Sequence, residues 1–202
     1  SSFRKGEIAE LAEMVAEIYC PNLRVEPAEI ARSKGVTISN GHYGDTFDGL
    51  LEHRSGRFHI YCNLDRLEHP QRPRARFTLG HELGHFFIEE HRDALQSGKS
   101  PGHGSLIDFE SRNPAEQEAD HFACNLLMPS LRFRASARNK ALGLKGILEI
   151  ARDFATSVTS AAIRYADLDV MPCLVVKWTA DGSNWKRLSS AARLANYGKL
   201  IN

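Results

Sequence analysis

The sequence contains no apolar run of the roughly 18 residues that a membrane-spanning helix needs, so no transmembrane helix is expected. Cysteine is sparse and scattered: Cys20, Cys62, Cys124 and Cys173 form no C-x-x-C pair. That spacing suits neither a disulfide framework nor a thiolate cage for zinc; it points to reduced, core-packed thiols and a cytoplasmic setting. An excess of charge of one sign is also missing. A net charge of +1 and a pI near 7.8 provide no global field that would draw the chain to nucleic acid. The opening residues, SSFRKGEIAELAEM, have neither the apolar stretch nor the small-residue cleavage site of a signal peptide. Internal repeats and low-complexity tracts are absent. What remains is an ordinary globular composition, 42% hydrophobic and 25% charged over 202 residues. That is enough for one domain, or a catalytic domain with a small appendage.

Hydrophobic periodicity divides the chain into short elements. Ile8, Leu11, Val15 and Ile18 mark one face of a helix over 7–19. Pro27 opens a second, short helix that Gly35 ends. Val36 to Ser39 reads as a strand, and FDGLLEH and RFHIYCN as two more, joined by a hairpin at Arg54-Ser55-Gly56-Arg57. The prolines of HPQRPRA end the sheet, and a helical pattern then runs from Arg74 to about Glu90. Residues 91–113 have little periodicity and are rich in Gly, Ser and His, the composition of a functional lid or a disordered loop. Pro114 starts another helix, which stops at Pro129, and three helical stretches follow at 131–142, 144–154 and 157–168. PCLVVKW reads as a strand that Asp181-Gly182 turns toward NWKRL. The class is α+β.

His81-Glu82-Leu83-Gly84-His85 has the pattern H-E-x-x-H. Residues four apart on an α-helix differ by about 40° in direction, so both imidazoles face one side. Zinc accepts such nitrogens at about 2.0–2.1 Å, and a catalytic site keeps three protein ligands and a place for water. Glu82 stands beside that face, where it can take the water's proton during attack on a peptide carbonyl. The competing reading is a surface helix with two solvated histidines. The apolar flanks, Thr78-Leu79-Gly80 and Phe86-Phe87-Ile88, argue against it, because they predict a largely buried helix. Unpartnered histidines and a glutamate would be costly there.

The third ligand is sought in Asn113-Pro114-Ala115-Glu116-Gln117-Glu118-Ala119-Asp120. Glu116 and Asp120 share a helix face, so Glu116 could bind the metal while Asp120 accepts the outer N–H of a ligating histidine. Glu118 lies about 200° around the helix from Glu116, so the two do not both fit as ligands. Glu116 is preferred and Glu118 is the alternative, with His121, His91 and His103 as further candidates.

Taken together, Arg76 to His85 and Glu116-Gln117-Glu118-Ala119-Asp120-His121-Phe122-Ala123, followed by Leu126-Leu127-Met128-Pro129, resemble the ImmA/IrrE family of metallopeptidases. The resemblance covers about residues 5–170 and is clearest over 58–130. It implies a zincin-like domain over 1–130: a small three-stranded antiparallel or mixed sheet packed on helices, with the H-E-x-x-H helix against it. A helical subdomain over 131–168 and a short β-containing segment over 169–202, ending in a hairpin, would follow. The resemblance also implies zinc held by His81, His85 and Glu116, with Glu82 as base. The implied activity is a site-limited cut in a helix-turn-helix transcriptional repressor that derepresses stress-response or mobile-element genes. Between the two motifs, 91–113 is longer than in compact members.

Residues 130–165 carry Arg132, Arg134, Arg138, Lys140, Lys145, Arg152 and Arg164 against only Glu149 and Asp153. Two short amphipathic helices there recur in helix-turn-helix modules, so contact with DNA or a DNA-bound repressor is one reading. A helical subdomain with a solvated basic face is the favoured one. Tyr165, Tyr61 and His103 are candidate donors to a tetrahedral oxyanion, although core or surface duty is the better expectation for each. Two rivals to the peptidase stand: a non-cleaving, zinc-containing protein that binds a repressor or DNA, and a toxin-like protease paired with an adjacent inhibitor.

Overall fold

The computed structural model describes residues 2–99, 103–105, 113–180, 182 and 184–195. The chain divides into two compact units, Ser1–Pro129 and Ser130–Asn202. The first begins with helices α1 (Ser2–Tyr19) and α2 (Pro27–Ser33), then strands β1 (Thr37–Gly41), β2 (Gly49–Arg54) and β3 (Arg57–Asn63). Helices α3 (Leu64–Leu67), α4 (Pro73–Phe87) and α5 (Glu89–Gln96), strand β4 (His103–Ser105) and helix α6 (Pro114–Leu127) complete it. Proline stands at the start of α2, α4 and α6, where its missing N–H would have had no helical partner. Asn113 caps α6 by accepting from the Ala115 N–H, and Asn63 caps α3 in the same way through Asp65.

The sheet has the order β1-β3-β2-β4. It is mixed, because β1 runs parallel to β3 while β2 is antiparallel to both β3 and β4. Ser55 and Gly56, both at positive φ (51° and 74°), make the tight β2–β3 turn where the hairpin was expected. The three expected strands are all present. The fourth, β4, was not foreseen, because its three residues carry no alternating pattern. Of the expected lid or disordered loop over 91–113, the described residues are ordered in part: α5 runs into it and β4 lies within it, while 100–102 and 106–112 lie outside the described residues. The long helix expected to Glu90 also ends earlier, at Phe87, where Ile88 turns extended (φ −71°, ψ 116°) before α5 begins.

Leu51, Phe58, Ile60 and Cys62 point from the sheet into the core. Every residue of α4 from Ala75 to His85 is buried, because the helix lies between the sheet and α6. Contact between α4 and α6 is close. A Cβ on Gly84 would stand 3.0 Å from the Ala119 Cα and 3.2 Å from the Phe122 Cβ, whereas one on Gly80 would meet the Ala123 Cβ at 3.4 Å. Two glycines facing two alanines thus set the spacing of these helices, and α1 covers the other side of α6.

The second unit contains α7 (Ser130–Arg138), α8 (Leu144–Phe154), α9 (Val158–Asp167), β5 (Leu174–Trp178), β6 (Asn184–Leu188) and α10 (Ser190–Leu194). Ala155 in the left-handed region ends α8, and Ser157 caps α9 through the Ser160 N–H. Strands β5 and β6 pair antiparallel, as expected; of the residues expected to turn between them, Asp181 lies outside the described set. None of the four cysteines is joined in a disulfide. Among the described residues no helix is long and apolar enough to cross a membrane.

Candidate metal centre

His81 and His85 project from one face of α4 and bring their Nε2 atoms to 3.1 Å of each other. Glu116, in the first turn of α6, places Oε2 3.2 Å from His81 Nε2 and Oε1 3.4 Å from His85 Nε2. Donors bound at 2.0–2.1 Å to one tetrahedral ion stand about 3.3–3.4 Å apart, so the observed edges fit a metal ion. All three side chains are buried. The close α4–α6 contact makes this possible, since Glu116 lies one turn before Ala119 on α6 and Gly84 lies beside His85.

Asp120, one turn after Glu116, reaches the outer side of His81: its Oδ1 is 2.8 Å from Nδ1. Burial alone would lower the His81 pKa, but hydrogen bonds to Asp120 and then Glu116 outweigh it and raise the group to about 10. For Glu116 burial pushes upward, and the hydrogen bonds from His81 and His85 overcome it, holding the carboxyl well below its usual range. Glu82 is fully buried, and neither of its oxygens has a well-formed hydrogen bond. Its pKa is pushed up to about 7, first by burial and also by Glu116, against the opposing pull of His81, Ser105 and Leu51.

Sequence reasoning missed the groups that make room for Glu82. A Cβ on Gly49 would lie 2.7 Å from Glu82 Oε1 and 2.5 Å from the Thr78 Cγ2, so only glycine fits the first position of β2. The preceding Asp48 fixes that strand end. It is fully buried, and its carboxylate meets Arg66 Nε at 2.7 Å and Arg74 Nη2 at 2.8 Å. A lone glycine opening a strand gives no signal in one sequence, and neither does a pairing that spans 26 residues.

Glu118 goes elsewhere than to the donor trio. Its carboxylate meets Arg4 and lies 3.3 Å from His91 Nε2. His91 stands beside His85 (Nδ1 to Nδ1 3.2 Å), and burial, then the charge of His85, push its pKa down to about 4. His121 Nε2 lies 2.9 Å from the Lys5 carbonyl. The Tyr61 hydroxyl donates to Glu52 at 3.1 Å. Tyr165 belongs to the second unit, where it lines an apolar cavity of about 440 Å³ with Leu144, Ile147 and Cys173. His103 contributes backbone to β4, and its side chain lies outside the described set. In the basic stretch, Lys140 pairs with Asp153 at 2.9 Å and Glu149 at 3.8 Å, so part of that excess charge is neutralised locally.

Beside the trio lies a cavity of about 140 Å³, walled by Leu51, Glu82, His85 and Glu116 and roofed by Glu90, His91, Ala94 and Leu95 of α5. Two histidines and a glutamate that could hold a metal ion, with the buried Glu82 carboxylate at their side, are a grouping of the metallopeptidase-like kind. Residues 68–165 match the family model of Peptidase_M78, the IrrE N-terminal-like domain. Among solved structures, the fold resembles a Mycobacterium tuberculosis transcriptional regulator with a TM-score of 0.61 and 16% identity. The match covers 91% of this chain and 66% of that one, just under two thirds of its length. At this identity the likeness concerns the fold alone. No curated protein sequence matches the chain.

Proposed function

We propose that the chain is a zinc-dependent endopeptidase, with His81, His85 and Glu116 holding the metal and Glu82 as general base. The observation that carries this reading is that the His81 and His85 Nε2 atoms stand 3.1 Å apart, one 3.2 Å from Glu116 Oε2 and the other 3.4 Å from Glu116 Oε1, beside a fully buried glutamate. Two imidazoles and one carboxylate form a donor set that favours zinc over harder cations. Bound there, zinc supplies Lewis acidity, polarising a carbonyl and making water a competent nucleophile near neutral pH.

The chain's own residues supply orientation and proton transfer. Asp120 accepts from the His81 Nδ1–H and so leaves Nε2 free to donate its lone pair. Glu82 takes the proton of the attacking water and returns it to the departing amine, and a pKa near 7 suits both transfers. Gly49 keeps the strand clear of that carboxylate. The substrate class we propose is a helix-turn-helix repressor in the cytoplasm, cut once to relieve repression of stress-response or mobile-element genes. Support for it comes from the family model that residues 68–165 match and from a structural neighbour named as a transcriptional regulator.

The small cavity favours a second reading. At about 140 Å³ the cavity beside the trio is small for an extended peptide, and a protein that binds a regulator without cutting it is the alternative. Incubating the zinc-loaded protein with neighbouring repressors separates the two. The peptidase reading expects a shortened repressor with wild type and an intact one with Glu82→Gln, at equal zinc content. Cutting that persists in Glu82→Gln removes Glu82 from its role. Binding without shortening favours the second reading.

A further inference from the structure

We infer that His91, Glu118 and Arg4 form a relay that positions His85 for metal binding, a role that rests on the zinc-site reading above. The argument follows the protons. His85 turns Nε2 toward His81 and Glu116 (3.1 and 3.4 Å), so a bound cation takes that lone pair and leaves the ring proton on Nδ1. Nδ1 faces His91 Nδ1 at 3.2 Å, and a donor there requires His91 Nδ1 to be the acceptor. The His91 proton must then sit on Nε2, which lies 3.3 Å from Glu118 Oε2, within ion-pair distance. Each position in the chain thus admits one direction of donation.

Glu118 is itself held in place. Arg4 grips it with both arms of its guanidinium, Nε to Oε1 at 3.2 Å and Nη2 to Oε2 at 3.1 Å. The same Nη2 donates to Glu90 at 2.9 Å, one residue before His91 on α5. Four helices therefore converge on one ligand: α4 carries His85, α5 carries His91, α6 carries Glu118 and α1 carries Arg4. The two histidines of the trio are served differently. Asp120 accepts directly from His81, whereas a neutral imidazole stands between His85 and its carboxylate. Glu118 is thus a positioning residue at one remove, which explains why it lies near the site without joining the trio.

The test uses the full chain, with zinc affinity measured by chelator competition and a cobalt(II) absorption spectrum as a second readout. Partners that orient a ligating histidine typically contribute 10–100-fold in metal affinity. His91→Leu is expected to lose affinity in that range and to shift the cobalt bands. His91→Gln, which keeps one acceptor and one donor, is expected to recover most of both. In zinc-loaded wild type with labelled histidines, nitrogen NMR is expected to show His91 protonated on Nε2 and His85 on Nδ1. Affinity of His91→Leu within twofold of wild type would overturn the relay, as would His91 protonated on Nδ1; the NMR result stands even if that variant does not fold. Wild type that takes up no zinc would instead overturn the zinc-site reading, and the relay with it.

Discussion

Alanine at Gly80 and alanine at Gly84 should act in opposite directions, although the two glycines are one turn apart on the same helix. Each substitution gains about 1 kcal/mol of helix propensity. At Gly80 the new methyl meets the Ala123 Cβ at 3.4 Å, an ordinary contact, so a net stabilisation of about 0.5–1 kcal/mol is expected. At Gly84 it meets the Ala119 Cα at 3.0 Å and the Ala119 carbonyl oxygen at 3.2 Å, both backbone atoms of α6 that no rotamer change can move. Carbon atoms pack at about 3.5–4.0 Å, so the helices must part by roughly 0.5 Å. Overpacking of that kind costs about 1–3 kcal/mol, leaving a net loss of about 1 kcal/mol after the propensity gain. The displacement also carries Glu116 away from the histidines. Because metal–ligand distances tolerate only about 0.2 Å, a loss of roughly tenfold in zinc affinity is expected. Urea unfolding in chelator and zinc competition on both variants provide the assay. A Gly84→Ala protein as stable as Gly80→Ala, with wild-type zinc affinity, would refute the claim that bare backbone on α4 sets the third donor.

Gly49→Ala forces its methyl into Glu82, so it should retain zinc and lose most hydrolysis; unchanged turnover at equal metal content would count against the fit described for β2. Asp48→Asn leaves Arg66 and Arg74 without their buried anion, and because both arginines reach solvent the cost should be about 2 kcal/mol, read as a lower urea midpoint. A change below about 0.5 kcal/mol would mean that strand end is held by other contacts. Zinc must displace the proton that His81 keeps up to about pH 10, while Glu116 is already ionised, so affinity should rise about tenfold per pH unit between pH 7 and 9. A flat profile would show that His81 is neutral before the metal arrives.

The donor trio was legible because its information is local. Four-residue spacing puts His81 beside His85, and the same spacing puts Glu116 and Asp120 on one face of α6. The glycine–alanine contact that joins those faces was written in the sequence too, but only the pairing of two helices gives it meaning. Helix α5 escaped notice because EEHRDALQ has one buried residue, Leu95, and hence almost no apolar stripe. It is held instead by charges from afar, including Arg4 on α1. Helix geometry set Glu118 apart from Glu116, and its carboxylate meets Arg4. Its link through His91 could not be foreseen, because it depends on α5 folding back over the site.

Strand β4 has a consequence for the order of assembly. Strands β1 to β3 lie within residues 37–63, so their pairings close short loops and are expected early. The partner of β4 is β2, with Leu51 opposite His103, and every residue of α4 and α5 lies between them. Closing so long a loop is entropically the costlier step, which places it late. Ser105, fully enclosed against the Glu82 side of the sheet, is then among the last groups to arrive. Such an order seats the histidine-bearing helix before the strand beside its glutamate, so the metal-binding face of α4 is set by α6 and the β1–β3 sheet rather than by β4.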